Sequence, residues 1–184
     1  MKKFVTRLAN GSATWVPTRL ATVVVVFLYL TTVRTWGISD TFWLLGDQIR
    51  DWQLALLPFD ELPLTGAPSS VGGVGLGPIY YWTLWVCRHA IGPWVNNLPH
   101  AGGIGFSLMQ SVADCVLLAA VWRKSGSGLT AVALTLLLAT SPLDMALSAT
   151  IWNPILSVVL VKLTLALLLL APRRPSLGWA VATT

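Results

Sequence analysis

The chain has 184 residues, 55% of them hydrophobic and only 10% charged, with a mean hydropathy of +0.71. So few charges over that length exclude an ordinary soluble domain, and ten tryptophans suit a protein with many positions at a membrane–water interface. The net charge of +5 comes from short basic clusters beside apolar runs rather than from a patch interleaved with exposed aromatics, which excludes nucleic acid as a partner.

Residues 17–36, PTRLATVVVVFLYLTTVRTW, meet the requirement of about 20 apolar residues for a helical span. Pro17 suits a first helical position and Gly37 a C-terminal stop. No small-residue cleavage site follows, so the run reads as an uncleaved anchor. Next comes an amphipathic helix over 40–57, DTFWLLGDQIRDWQLALL, with Asp47, Arg50 and Asp51 at i, i+3 and i+4 on one face. Phe42, Trp43, Leu45, Ile49, Trp52 and Leu56 supply the apolar remainder, as in a helix lying along a bilayer surface. The plainer alternative is a solvated face with an Asp47–Arg50 pair worth about 0–1 kcal/mol.

Glycines and prolines from Pro58 to Pro78 exclude long regular structure, and the GxGxG run at 73–77 precedes no dinucleotide-binding unit. A short aromatic helix over 78–91 follows, interrupted by Arg88 and His89. Three further spans are predicted at 104–122, at 128–145 with a bend near Pro142, and at 155–171. Within them, Ser107, Gln110, Ser111 and Asp114 form one helical stripe, and Asp114 and Lys162 lie at depths that allow a structural ion pair. Cys87 and Cys115 have no metal or disulfide spacing and read as small buried residues. His89 and His100 read as interfacial polar residues.

The basic residues decide the topology. Lys2, Lys3, Arg7, Arg19, Arg123, Lys124, Arg173 and Arg174 all fall on the cytoplasmic side only if the 78–91 helix does not cross the membrane. The expectation is therefore an all-α integral membrane protein of the cytoplasmic membrane with four spans, a cytoplasmic N-terminus and interfacial helices in a long outer loop over 37–103. A plain five-span arrangement is the alternative. The final RRPSLGWAVATT repeats a basic turn followed by the start of an apolar run, as in part of a longer membrane protein or a truncated reading frame.

In order, the chain carries an anchor, an outer helix with GDQIR (46–50), a Gly/Pro loop, GPIYYW (77–82), a span ending in a basic turn, and a short outer IWNP (151–154). This order resembles the GT-C superfamily of lipid-linked-sugar glycosyltransferases, particularly its protein-mannosyltransferase-like and aminoarabinose-transferase-like branch. The resemblance implies a polyprenyl-phosphate-linked sugar as donor and a lipid, glycan or protein acceptor. It gives Asp47 the catalytic carboxylate role, activating the acceptor or binding a divalent cation, and gives Arg50 the donor phosphate. Arg88 reads either as a second phosphate contact or as a cation snorkelling to the headgroups. Asp51, Tyr80, Tyr81 and Asn153 fall in the substrate or metal vicinity. The sequence departs from the family twice: Asn153 stands where many members carry an acid, and Gly77-Pro78 replaces His-Pro or Lys-Pro. Two other classes are open to the sequence, a transporter or channel subunit and a non-catalytic membrane scaffold.

Overall fold

A computed structural model describes residues 2–66 and 77–171, with side chains from residue 17 onward. Eight α-helices make up nearly all the regular structure, and the described residues contain no strand. The helices are α1 (Lys2–Thr35), α2 (Ile38–Thr41), α3 (Gly46–Leu54), α4 (Ile79–Ile91), α5 (Pro99–Ser125), α6 (Gly128–Ala139), α7 (Pro142–Ser148) and α8 (Pro154–Leu170). Pro17–Thr41 and Pro99–Ser125 are each long and apolar enough to cross a membrane. α6 and α7 pass the same test as one span broken by a 65° bend, and α8 is a shorter apolar helix.

α5 is the mast of the bundle, touching α1, α4, α6 and α8. Its first turns carry Gly102, Gly103 and Gly105, and these let other elements close on it. A methyl group at Gly102 would meet Ile151 at 2.9 Å and Leu84 at 3.1 Å, and one at Gly103 would meet the Ala149 carbonyl and Phe42, each at 2.9 Å. At Gly105 it would run into the Cys87 sulfur. α2, α4 and the α7–α8 link therefore gather at the N-terminal end of α5, around a core of Trp52, Tyr80, Tyr81, Leu84, Phe106, Ile151 and Ile155.

At the other end, the Arg19 guanidinium lies 5.4 Å from the Trp122 ring centroid, so the start of the apolar run in α1 meets the last turns of α5. Gly126, with φ 73°, ends α5 in the left-handed conformation, and the Ser127 hydroxyl accepts from the Thr130 amide at 3.2 Å to cap α6. α1 and α5 thus run antiparallel, and residues 37–98 begin and finish at the same end of the bundle. Leu20, Val25 and Leu28 on α1, Leu137 on α6 and Leu160 and Val161 on α8 are all more than half exposed, the outward apolar surface that acyl chains would cover.

Several predicted boundaries move. The helix over 40–57 divides, because Phe42–Leu45 is not helical and the Leu45 amide donates to the Gln48 side chain at 2.9 Å, starting α3 afresh. The helix over 104–122 extends to 99–125, with Pro99 in its first turn and Gly126 as its stop. The helix over 128–145 breaks at Thr140–Ser141, where the Ser141 hydroxyl accepts from the Asp144 amide at 3.4 Å and Pro142 begins α7. α4 runs from 79 to 91, and Tyr80, Leu84, Cys87 and Ile91 along it meet the first turns of α5 at Gly102, Gly105 and Phe106. The Gly/Pro run at 67–76 and the basic turn at 173–174 lie outside the described residues.

Candidate functional site

α3 is short, and its buried side, Gln48, Asp51 and Trp52, presses toward α4. Asp51 is only 3% exposed, yet a buried carboxylate needs donors. It receives three hydrogen bonds on one oxygen: Arg50 Nε donates to Oδ1 at 3.0 Å, Arg50 Nη2 at 2.6 Å and the Tyr81 hydroxyl at 3.2 Å. Arg50 remains 45% exposed on its outer side. Asp47, one turn earlier, stays in solvent.

This corrects the expected single charged face. Asp51 points inward and Asp47 outward, and Arg50 pairs with its sequence neighbour Asp51 instead of with Asp47. The reason is the Tyr81 donor on α4, which makes the inner position habitable for a carboxylate. The hydrogen bond to Asp51 raises the Arg50 pKa above its ordinary value, and the Asp47 charge adds to it. Burial, with the Asp51 charge behind it, pushes Tyr81 up to about 12 and raises Tyr80 further. Tyr80 stacks on Phe106 at 5.8 Å, and its hydroxyl has no partner among the described residues.

Arg88, on α4, reaches back to the end of α3. Its Nη1 donates to the Ala55 carbonyl at 3.3 Å and the Leu56 carbonyl at 2.7 Å, neutralising the C-terminal end of α3. Asn153 stands at the N-cap of α8 without capping it, beside Ile151, which is packed on Gly102 and Leu84. No described contact joins Asn153 to Asp47, Arg50 or Asp51. Nor do the residues fit a resident divalent cation: among those described, no three His, Cys, Asp or Glu side chains converge, and Asp51 is committed to Arg50 and Tyr81.

The second polar centre lies inside the bundle. Arg34 Nη2 donates to Asp114 Oδ2 at 2.7 Å and Asp144 Oδ2 at 2.5 Å, while Lys162 Nζ lies 2.9 Å from Asp114 Oδ1 and 2.6 Å from Asp144 Oδ1. Two cations and two carboxylates alternate in a closed, neutral ring, with one member each from α1, α5, α7 and α8. Every side chain in it is at most 9% exposed. Lys162 meets its carboxylates at ion-pair distance without a well-directed hydrogen bond. Arg34 also donates through Nη1 to the Ser111 hydroxyl at 3.0 Å and through Nη2 to the Ala139 carbonyl at 3.2 Å. Ser111 donates to the Ser107 carbonyl and Ser107 to the Ser148 carbonyl, each at 2.8 Å.

The sequence pointed to Asp114 and Lys162, which the structure brings together, but gave no place in the ring to Arg34 or Asp144. The one available signal was arithmetic: two carboxylates and two cations on four apolar helices can balance only as a set. Comparison with protein-family models finds none that matches this chain, and comparison with curated proteins and with solved structures finds none similar to it.

Proposed function

We propose that the chain is a membrane glycosyltransferase, or part of one, of the GT-C kind. It transfers a sugar from a polyprenyl-phosphate donor to a lipid, glycan or protein acceptor on the outer face of the cytoplasmic membrane. The observation that carries this reading is the α3–α4 constellation. An exposed carboxylate, Asp47, stands one helical turn from a half-exposed guanidinium, Arg50, which the buried and tyrosine-bonded Asp51 holds in place.

Those are the groups the chemistry requires. The outer edge of Arg50 binds the donor phosphate and stabilises the charge that develops on it as the glycosidic bond breaks. Asp47 takes the proton of the acceptor hydroxyl, a contribution of roughly 10²–10⁴-fold for a positioned base. Asp51 and Tyr81 are positioning residues, since Asp51 fixes Arg50 and Tyr81 fixes Asp51.

The reading includes four spans, α1, α5, α6 with α7, and α8, with a cytoplasmic N-terminus and with α3 and α4 in the outer interface among the membrane lipids. Two features support it. Residues 37–98 return to the end from which they left, and the basic residues Arg19, Arg123 and Lys124 share the opposite end. A transporter would use charge inside the membrane, and the buried ring supplies some, but its four members neutralise one another.

The test is transfer by the full-length protein in membranes supplied with polyprenyl-phosphate sugars. Asp47→Asn abolishes sugar release while membrane insertion is unchanged, and Arg50→Ala raises the donor concentration needed as well as lowering the rate. Full activity in Asp47→Asn refutes the assignment.

A further inference from the structure

A groove of about 510 Å³ runs along the outside of the bundle between α1 and α5, and the end of α8 closes one side of it. Val23, Phe27, Val112, Val116, Ala119 and Leu170 line it, and Arg123 supplies the one charge in that lining. Val112, Val116 and Ala119 are exposed, so the groove opens away from the protein, onto the surface that acyl chains would cover. Arg123 is exposed as well, and its guanidinium meets no acceptor among the described residues.

Length and charge decide what fits. At a helical rise of about 1.5 Å per residue, α5 covers roughly 16 Å between Val112 and Arg123. That is about half of the roughly 30 Å hydrocarbon core of a bilayer, the depth of one leaflet. A transmembrane helix is too wide, because a rod about 10 Å across would fill the 510 Å³ in roughly 6.5 Å, little more than one turn. An acyl chain gains little by leaving lipid for an apolar groove, since both are hydrocarbon, so selection falls to the guanidinium. A phosphate at headgroup level accepts charge-assisted, bidentate hydrogen bonds from it, and the exposed Lys124 adds positive potential beside it. A choline headgroup offers the same phosphate with a cation next to it, which both side chains repel, whereas a headgroup of net negative charge brings no such repulsion.

We propose that this groove binds an anionic phospholipid, with one acyl chain lying between α1 and α5 and the phosphate seated on Arg123. The site goes beyond the transferase reading and does not depend on it. Arg123 follows Trp122, which meets Arg19 at the end of the bundle opposite to residues 37–98. On the orientation proposed above, the lipid belongs to the cytoplasmic leaflet, across the membrane from the sugar donor.

The test places the full chain in nanodiscs of phosphatidylglycerol and phosphatidylcholine, in equal amounts and with matched acyl chains. Native mass spectrometry then counts the lipids that stay bound after release into detergent. The expected result is one retained phosphatidylglycerol, favoured over phosphatidylcholine by about fivefold. Arg123→Gln abolishes that preference, and Lys124→Gln, which leaves the groove lining intact, reduces it by less. Ala119→Phe fills the groove from an exposed position on α5 and lowers retention of both lipids. Val112→Phe gives the same direction should Ala119→Phe not fold. Three results overturn the proposal: equal retention of the two lipids by the unaltered chain, an undiminished preference in Arg123→Gln, or unchanged retention in both groove variants. A dimer that Ala119→Phe dissociates would give the groove to a second copy of the chain and overturn it too.

Discussion

Asp47 and Asp51 lie four residues apart on one nine-residue helix, and one faces water while the other is buried. What separates them is the Tyr81 hydroxyl, a partner supplied by an element some thirty residues away. Tyr81→Phe therefore removes a donor from a buried carboxylate, and we expect a loss of about 1–3 kcal/mol in stability together with a looser Arg50. Thermal unfolding reads the first and the donor KM the second. Because burial raises Tyr81 to about 12, the neutral hydroxyl contributes fully below its ordinary value of 10 and is lost as pH rises from about 10 through 12. Absorbance at the phenolate band should accordingly show Tyr80 and Tyr81 still protonated at pH 10. The sequence displayed Asp47, Arg50 and Asp51 as one group, because helical spacing is visible there. It could not display which carboxylate a distant tyrosine would draw inward. Arg88 shows a related limit: a cation near the interface looks free until the helix end it meets is known.

At the scale of elements, the two longest apolar helices were legible because their length and composition meet a physical threshold; α1, however, starts at Lys2 and carries Pro17 inside it instead of at its first position, and α8 is shorter than a full span. Ser141-Pro142 turns one predicted helix into two meeting at 65°. The closeness of α4 to α5 was not legible, since it depends on glycines whose role shows only once Leu84, Cys87 and Ile91 are seen against them. Gly105→Ala would drive a methyl into the Cys87 sulfur, and we expect it to destabilise this contact by about 1–3 kcal/mol, against little effect for Gly46→Ala, where space is open. Comparing the two melting temperatures checks this. Burial also pushes the Cys87 thiol up to about 11, so alkylation of the native protein at pH 7.5 should be slow and should accelerate when Gly105→Ala displaces α4.

For the whole molecule, the four-charge ring sets the energetic terms. Removing one member leaves an uncompensated buried charge, so Asp114→Asn should cost about 3–5 kcal/mol, read as a lower melting temperature. A simple exchange of Asp114 and Lys162 should not rescue the fold, because a lysine at 114 would face Arg34. The charge-balanced Asp114→Asn/Lys162→Met variant keeps the Arg34–Asp144 pair and should recover much of the loss. The sequence suggested a pair here because it shows the depth of a charge in its own helix but not the angular position of four helices about a common axis.

The order in which those charges are synthesised has a consequence for how the chain reaches its final state. Arg34, Asp114, Asp144 and Lys162 emerge as plus, minus, minus, plus. On the four-span reading proposed above, the running total inside the bilayer would be one positive charge after the first helix, zero after Asp114, one negative charge after Asp144 and zero again with Lys162. Lipid is a poor host for either unbalanced stage, so the helices should leave the insertion machinery two at a time, the first with the mast and then the bent pair with the last.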